Sequence, residues 1–221
     1  SFSGYGLWQF NNNGFSLGPN WFNENRANAD TASWTFRKAP GFFDVVTYTG
    51  NGSTQNISHS LGSVPGMIIV KATSSAGDWY VYHRSIGASK TSKLNSNEAF
   101  YSYTSPPTFP WNNTTPTSTV FSVNANGSFS ANTSGVTYVA YVFAHDEPVF
   151  GTGGNESIIK CGSYTGNLTT PGPIVNLGWE PQWVLIKNTS SGSTPWLLWD
   201  NMRGIVASGA SNYLYANATD A

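Results

Sequence analysis

The 221-residue chain carries 39% apolar and 15% aromatic residues, only 10% charged ones, and a net charge of −1. That balance excludes an electrostatic binder of nucleic acid, which needs clustered Lys and Arg where this chain has no basic run; it also excludes a disordered chain, since this much apolar and aromatic side chain can build cores. No apolar stretch approaches the roughly 18 residues of a membrane-crossing helix, no signal peptide is visible, and the lone Cys161 excludes an internal disulfide framework.

In chain order the segments read as β. "LWQFNNNGFSL" (7–17) is an aromatic strand entering an Asn-Gly turn, and "TASWTFRKA" (31–39) is an alternating strand after it. Short runs rich in β-branched and aromatic residues follow at Val45–Gly50, Gly66–Thr73, Asp78–His83, Thr119–Asn124 and Thr137–Ala144. Each is bounded by Gly, Asn, Ser or Pro, which end strands and shape turns. In the last run Tyr138, Ala140 and Val142 face one way and Val139, Tyr141 and Phe143 the other, so a strand buried on both faces is expected. Residues 102–116, with Pro106, Pro107, Pro110 and Pro116, form a long loop. Asn126-Gly127 predicts a hairpin, because both residues tolerate positive φ. Cys161 is expected in a strand as a buried, inert thiol, and "WVLIK" (183–187) is an apolar strand. No amphipathic helix emerges. The expected fold class is all-β: antiparallel β-sandwich domains, with the jelly roll as one form, repeated in tandem and without substantial helix.

The tandem expectation comes from the chain repeating itself. "TYTGN" (47–51) returns as "SYTGN" (163–167), a shift of 116 from Tyr48 to Tyr164. The same shift carries Leu61-Gly62 and Pro65 onto Leu177-Gly178 and Pro181, and Ile69-Val70-Lys71 onto Leu185-Ile186-Lys187. One residue of slippage later, Trp79 finds Trp196 and Tyr82 finds Trp199. A period of about 110–120 residues is domain-sized, so tandem domains are the reading. A weaker match relates residues 7–17 and 31–39 to "VFSVNANGSFSA" (120–131) and "TYVAYVFAH" (137–145). Residues 1–40 are therefore the expected C-terminal part of one β-sandwich repeat, 41–148 a complete repeat, 149–156 a linker, and 157–221 the N-terminal part of a further repeat. The head maps onto roughly 114–146 and the tail onto roughly 41–103. The absence of Met at position 1 fits a fragment or a processed chain. A half sandwich would expose apolar strands and open edges. Head and tail are thus expected to be ordered by complementary strands, from the same chain's other end or from the next subunit in a head-to-tail polymer. The alternative is that the neighbouring strands belong to other parts of a longer polypeptide.

The series "FFDVVTYTGNG…ISHSLGSVPGMIIVKATSSAGDWYVYH", "FPWNNTTPTSTVFSV", "TYVAYVFA", "CGSYTGN" and "LGWEPQWVLIKNTSSGSTPWLLWD" resembles a repeated β-domain. That domain is found in large virion proteins of tailed bacteriophages, notably cyanophages, of the tail-fibre-like kind. The resemblance spans most of the chain and implies a phage structural protein located in the virion, as an appendage or fibre. Its partners would be copies of itself, other virion proteins and a host surface glycan. The resemblance supplies no catalytic residues.

The chain's own chemistry is sparse. His59, His83 and His145 lie on separate segments without ligand-spaced companions, so neither a metal site nor a cofactor is expected. Asp146-Glu147 is the only adjacent acidic pair, and neighbours on a strand point to opposite faces, so a solvated strand end before Pro148 is favoured over a catalytic couple. Asp78 and Asp200 hold loosely equivalent places but lack an Asp ladder for calcium. The recurring aromatics Trp79, Tyr80, Tyr82, Trp196 and Trp199 read as core. Trp111, in the Pro-rich loop beside Asn112 and Asn113 and following Tyr101 and Tyr103, offers an aromatic face with amides that could receive a sugar ring; the alternative is an indole plugging one end of a sandwich. The leading function is structural, a repeat module of a phage appendage that touches the host, with no enzymatic activity. The alternatives are a lectin-like module and a tailspike-type polysaccharide depolymerase, which needs two carboxylates in one cleft.

Overall fold

The computed structural model describes residues 7–18, 25, 27–28, 31, 33–102, 110–125, 131–202, 204 and 212–218. The chain divides into two units, Ser1–Phe36 and Arg37–Ala221. In the first, Leu7–Asn11 (β1) and Gly14–Leu17 (β2) pair as an antiparallel hairpin, with Asn11 opposite Gly14. The turn residues are Asn12-Asn13, and Gly14 already belongs to the second strand. The expected strand over "TASWTFRKA" is not formed: Thr31 and residues 33–38 lie outside any strand. An alternating sequence becomes a strand only where a second strand takes up its backbone hydrogen bonds.

The second unit contains Phe43–Thr49 (β3), Gln55–Ser58 (β4), Met67–Ala72 (β5), Trp79–His83 (β6), Ser92–Lys93 (β7), Val120–Val123 (β8), Thr137–Phe143 (β9), Trp183–Ile186 (β10), Leu197–Asp200 (β11) and Leu214–Tyr215 (β12). All pairings are antiparallel, and the described residues contain no helix. One sheet has the order β3-β9-β5-β6-β7, a two-stranded ladder joins β4 to β8, and a third sheet has the order β10-β11-β12.

The middle of the large sheet explains its sequence. β9 pairs with β3 from Thr49↔Thr137 to Phe43↔Phe143, and with β5 from Ala72↔Tyr138 to Met67↔Phe143. A strand flanked on both edges and covered on both faces must be apolar throughout. On one face Tyr138, Ala140 and Val142 join Ile68, Val70, Tyr80 and Tyr82 in a core closed by Ile57 of β4, Phe121 and Val123 of β8, Leu61 and Trp111. On the other face Phe143 joins Phe43, Ile69 and Val81 under Phe100 and Trp196. Each large apolar side chain fully buried in this way stabilises the fold by roughly 1.5–3 kcal/mol before conformational entropy is subtracted. The short β4 and β7 have no apolar signature of their own; they are strands because β8 and β6 supply partners. The Asn126-Gly127 hairpin lies outside the described residues.

The ladder β10–β11 copies the register of β5–β6. Met67, Ile68, Ile69 and Val70 stand opposite His83, Tyr82, Val81 and Tyr80. Trp183, Val184, Leu185 and Ile186 stand opposite Asp200, Trp199, Leu198 and Leu197, which is the same pairing moved by 116 on one strand and 117 on the other. β12 likewise repeats β7: Lys93 and Ser92 face Tyr80 and Val81, and Tyr215 and Leu214 face Leu197 and Leu198. Turns repeat as well. Asn51 Oδ1 accepts from Ser53 N–H at 2.9 Å, and Asn167 Oδ1 from Thr169 N–H at 3.1 Å. Gly62 and Gly178 both take the left-handed conformation, at φ 75° and 82°.

What does not repeat is β3. Residues 157–182 contain no strand, so the expected strand around Cys161 is absent, although Cys161 itself is buried. Its segment is fixed to the end of β9 instead: Cys161 N–H donates to His145 Nδ1 (3.1 Å), and Asp146 N–H to the Ile159 carbonyl (2.8 Å). Tyr48 stacks on Tyr138 with ring centroids 5.0 Å apart, and its hydroxyl donates to the Ala131 carbonyl at 2.5 Å. Its counterpart Tyr164 is 51% exposed. Among the described residues the one strand paired with β3 is β9, and no strand equivalent to β9 stands beside residues 159–165.

Candidate functional site

The residues expected to bind a sugar do not present an aromatic platform at Trp111. Trp111 is 1% exposed, packed edge-on against Tyr82 with centroids 5.8 Å apart, and lies within the core between β4–β8 and the large sheet. Its ring faces are covered, which is the plugging role and leaves no aromatic platform there. Its indole N–H meets no acceptor among the described residues. Asn112 is taken up locally: its Nδ2 donates to Ser122 Oγ (3.2 Å) and Thr114 Oγ1 (3.4 Å), while its Oδ1 accepts from Thr54 Oγ1 (3.3 Å). Asn112 and Asn113 both turn the chain at positive φ, 52° and 48°, a conformation Asn tolerates better than most residues. Tyr101 bridges to Thr91 through two backbone hydrogen bonds of 2.9 Å, with Lys93 Nζ 6.0 Å from its ring centre. Tyr103 lies outside the described residues.

The titratable groups are bound into local structure. Asp44 is fully buried; its Oδ1 meets Lys38 Nζ at 2.6 Å and Val45 N–H at 2.8 Å, and its Oδ2 meets Ser60 N–H at 2.6 Å. Burial pushes this carboxyl up, but Lys38 and the two backbone donors outweigh it and hold it below its ordinary value. His59 donates Nε2–H to the Thr117 carbonyl (3.2 Å) and accepts Leu61 N–H at Nδ1 (3.3 Å), a neutral tautomer. Burial lowers its pKa against the opposing pull of Thr117 and Asp44. Asp146, in the left-handed conformation at φ 53°, pairs with Lys160 at 3.1 Å and accepts from Ser157 Oγ at 2.7 Å, contacts that lower its pKa. Glu147 instead lines a shallow concavity of about 340 Å³ with Ala39, Leu61, Val149 and Phe150, where it is the only titratable side chain. The adjacent acids therefore do not converge on one cleft. Among the described residues no cluster of three or more His, Cys, Asp or Glu could hold a metal ion. Asp78 pairs with Lys93 at 3.1 Å, and Asp200 is buried beside Met202 N–H.

The feature with an evident capacity for recognition is the β10 edge. β5 has a strand on each side, β9 and β6, whereas among the described residues β10 has only β11. The side chains tell the same story. Ile68, Val70, Tyr80 and Tyr82 are buried at 0%, 0%, 3% and 1% exposure; their counterparts Val184, Ile186, Leu197 and Trp199 are only half-buried. The β10–β12 sheet is itself anchored. Trp196 Nε1 donates to the Lys93 carbonyl (3.0 Å), Lys187 Nζ to the Asn97 carbonyl (3.0 Å), and Phe100 N–H to the Thr189 carbonyl (3.3 Å). A fixed sheet with an open edge can take an added strand through main-chain hydrogen bonds.

No curated protein and no solved structure matches the chain. Residues 2–221 match the family described as Domain of unknown function (DUF7483), and the chain belongs to that family.

Proposed function

We propose that the chain is a structural module of a tailed-phage virion, part of an appendage or fibre, that extends by repeating one β-sandwich unit and contributes to attachment at the host surface. The observation that carries this reading is the copied register: β10-β11-β12 pairs residue for residue as β5-β6-β7 does. A unit repeated with its hydrogen-bond pattern intact suits a protein whose task is length and surface, since each copy offers the next the same faces. The resemblance of the motif series to tail-fibre-like virion domains supports the phage setting. On this reading the partners are other copies of the chain and other virion proteins, and the chain catalyses no reaction. Antibody raised against the purified chain tests it. Labelling of an appendage on intact virions in electron micrographs is the expected result; virions that carry no label while the antigen stays in the soluble lysate overturn it.

A further inference from the structure

We propose that the concavity between the Pro40–Gly41 turn, the bend at 61–63 and the 147–150 segment binds a primary alkylammonium group, the side chain of a lysine presented by another protein. The site lies wholly within the Arg37–Ala221 unit. The inference goes beyond the virion reading and stands or falls independently of it.

The walls of the site are fixed. Gly41 N–H donates to the Leu61 carbonyl at 2.7 Å, which ties the first wall to the second. Gly41 takes the left-handed conformation at φ 70°. A Cβ there would collide with Val149 Cγ2 and come within 3.4 Å of Glu147 Cβ, so the bare glycine lets the third wall approach. That wall is braced at both ends. Asp146 is bound by Lys160 and Ser157. Phe150 exchanges both backbone hydrogen bonds with Glu156 (2.9 and 3.0 Å) and meets Phe42 edge-on, with ring centroids 6.3 Å apart. A site with braced walls orders little when a ligand enters. Its volume of about 340 Å³ sits at the lower end of ligand sites, roughly 300–1,000 Å³.

The chemistry of the lining is one-sided. Pro40, Leu61, Val149 and Phe150 supply apolar walls, and Val149 stays 53% exposed. Glu147 is half-buried, and no cationic side chain lines the site with it. Its carboxylate makes no ion pair and no hydrogen bond among the described residues, whereas Asp146 beside it makes both. Ser63 lines the same concavity in the same condition: it is 5% exposed, and its buried hydroxyl has no hydrogen-bond partner among the described residues. Polar groups withdrawn from water without partners carry a penalty, and a ligand that brings donors to both offsets it.

These features select the ligand. An anion is repelled by Glu147. A neutral apolar group would cover the walls but desolvate the carboxylate further without pairing it. A lysine side chain meets both demands. Its alkyl stem lies along apolar surface while the ammonium stays near the rim. Its three N–H donors serve a carboxylate on one segment and a hydroxyl on another, which the planar fork of a guanidinium does less well. The chain's own lysines are mostly engaged. Lys38, Lys93 and Lys160 pair with Asp44, Asp78 and Asp146, and Lys71 and Lys187 donate to the Gly77 and Asn97 carbonyls. The sixth, Lys90, is exposed and makes no ion pair with Glu147.

The test titrates ¹⁵N-labelled protein with the peptide acetyl-Gly-Lys-Gly-amide and reads the amide shifts of Gly41, Gly62, Ser63 and Glu147. Saturating shifts are expected, with a dissociation constant on the order of 1–10 mM for so small a ligand; shifts that do not saturate overturn the site. The same peptide acetylated on Nζ should bind at least tenfold more weakly, because the charge is gone; equal binding overturns the ammonium as the recognised group. This comparison leaves the protein unaltered, so no folding defect can imitate it. Equal or tighter binding of acetyl-Gly-Arg-Gly-amide overturns lysine in favour of a guanidinium. Glu147→Gln should weaken binding at least fivefold, and Glu156→Gln, an exposed acid outside the lining, should leave it unchanged. Binding that survives Glu147→Gln overturns the role of that carboxylate. Self-association of the unlabelled chain that Lys90→Ala abolishes would make the donor a second copy and overturn the assignment to another protein. Virion labelling judges the appendage reading separately from all of these results.

Discussion

Gly66 and Cys161 are in such close apposition that a Cβ added to Gly66 would come within 2.7 Å of both Cβ and Sγ of Cys161, and within 2.9 Å of the Ala144 carbonyl. The absence of a side chain at Gly66 is what lets the 159–161 segment lie against the end of β9. Gly66→Ala is expected to lower stability by about 1–3 kcal/mol, as overpacking does. It also changes the thiol. Burial pushes Cys161 up to about 12, so the native protein reacts slowly with a disulfide reagent at pH 8. In the variant the reaction should be roughly tenfold faster or more; an unchanged rate would show that the segment is held by something other than this contact.

Acid sensitivity follows from Asp44. Its folded pKa lies below its unfolded value, so it contributes stability that is fully present above the unfolded value, about 3.9, and is lost as pH falls from there through the folded pKa. Asp44→Asn removes the ion pair with Lys38 and one acceptor for buried donors, at a loss of about 1–3 kcal/mol near neutrality. Urea unfolding at pH 7 and pH 3 should show the difference between wild type and variant shrinking at the lower pH. A constant difference would mean that the carboxylate's charge contributes nothing.

Two glycines in equivalent words of the sequence should respond differently. Gly50→Ala drives a methyl into the Thr133 carbonyl, whereas Gly166→Ala meets open space. The first is expected to cost about 2 kcal/mol or more, and the second to stay within roughly 0.5 kcal/mol, as read from denaturant midpoints. Equal effects would contradict the asymmetry between the copies.

Trp111 can be separated from glycan recognition. Trp111→Ala should cost about 3–5 kcal/mol, because it empties a fully buried site. The milder Trp111→Phe should keep the fold and leave any binding to host-surface glycan unchanged, measured on a glycan array or by cell adsorption. Loss of binding with the circular dichroism spectrum intact would restore the indole as a recognition element.

Incubation with host envelope polysaccharide should release no reducing ends. Release by the purified chain that disappears in Asp146→Asn or Glu147→Gln would replace the structural reading with a depolymerase.

The strands with strong alternation were legible. Residues Tyr138–Phe143 declare two apolar faces: Tyr138, Ala140 and Val142 are buried in one core, while on the other face Phe143 is buried and Val139 and Tyr141 are half-buried. β4 ("QNIS") and β7 ("SK") were not, because nothing in those residues is strand-like until Phe121 and Val81 stand opposite Ile57 and Ser92. "SWTFRK" and the residues around Cys161 have strand-like patterns yet lie in no strand, since pattern prescribes a face but not a partner. The fate of Trp111 was undecidable from its neighbours: a large indole among prolines reads alike as plug or platform, and only the position of Tyr82 and β8 settles it. The β10 edge had its signal in the sequence match between 66–83 and 182–200, where a hairpin of the same register stands without a described counterpart of β9.

The central position of β9 also sets a timetable. Among the described residues the one strand paired with β3 is β9, and 87 residues separate Thr49 from Thr137. At about 5–20 residues per second, β3 emerges from the ribosome roughly 4–17 s before its partner exists. The β5–β6 hairpin, made in the interval, closes within about 1–10 μs of leaving the tunnel. A nascent chain stalled just before Thr137 would thus hold Val46–Thr49 with exchanging amides beside a hairpin that already resists exchange.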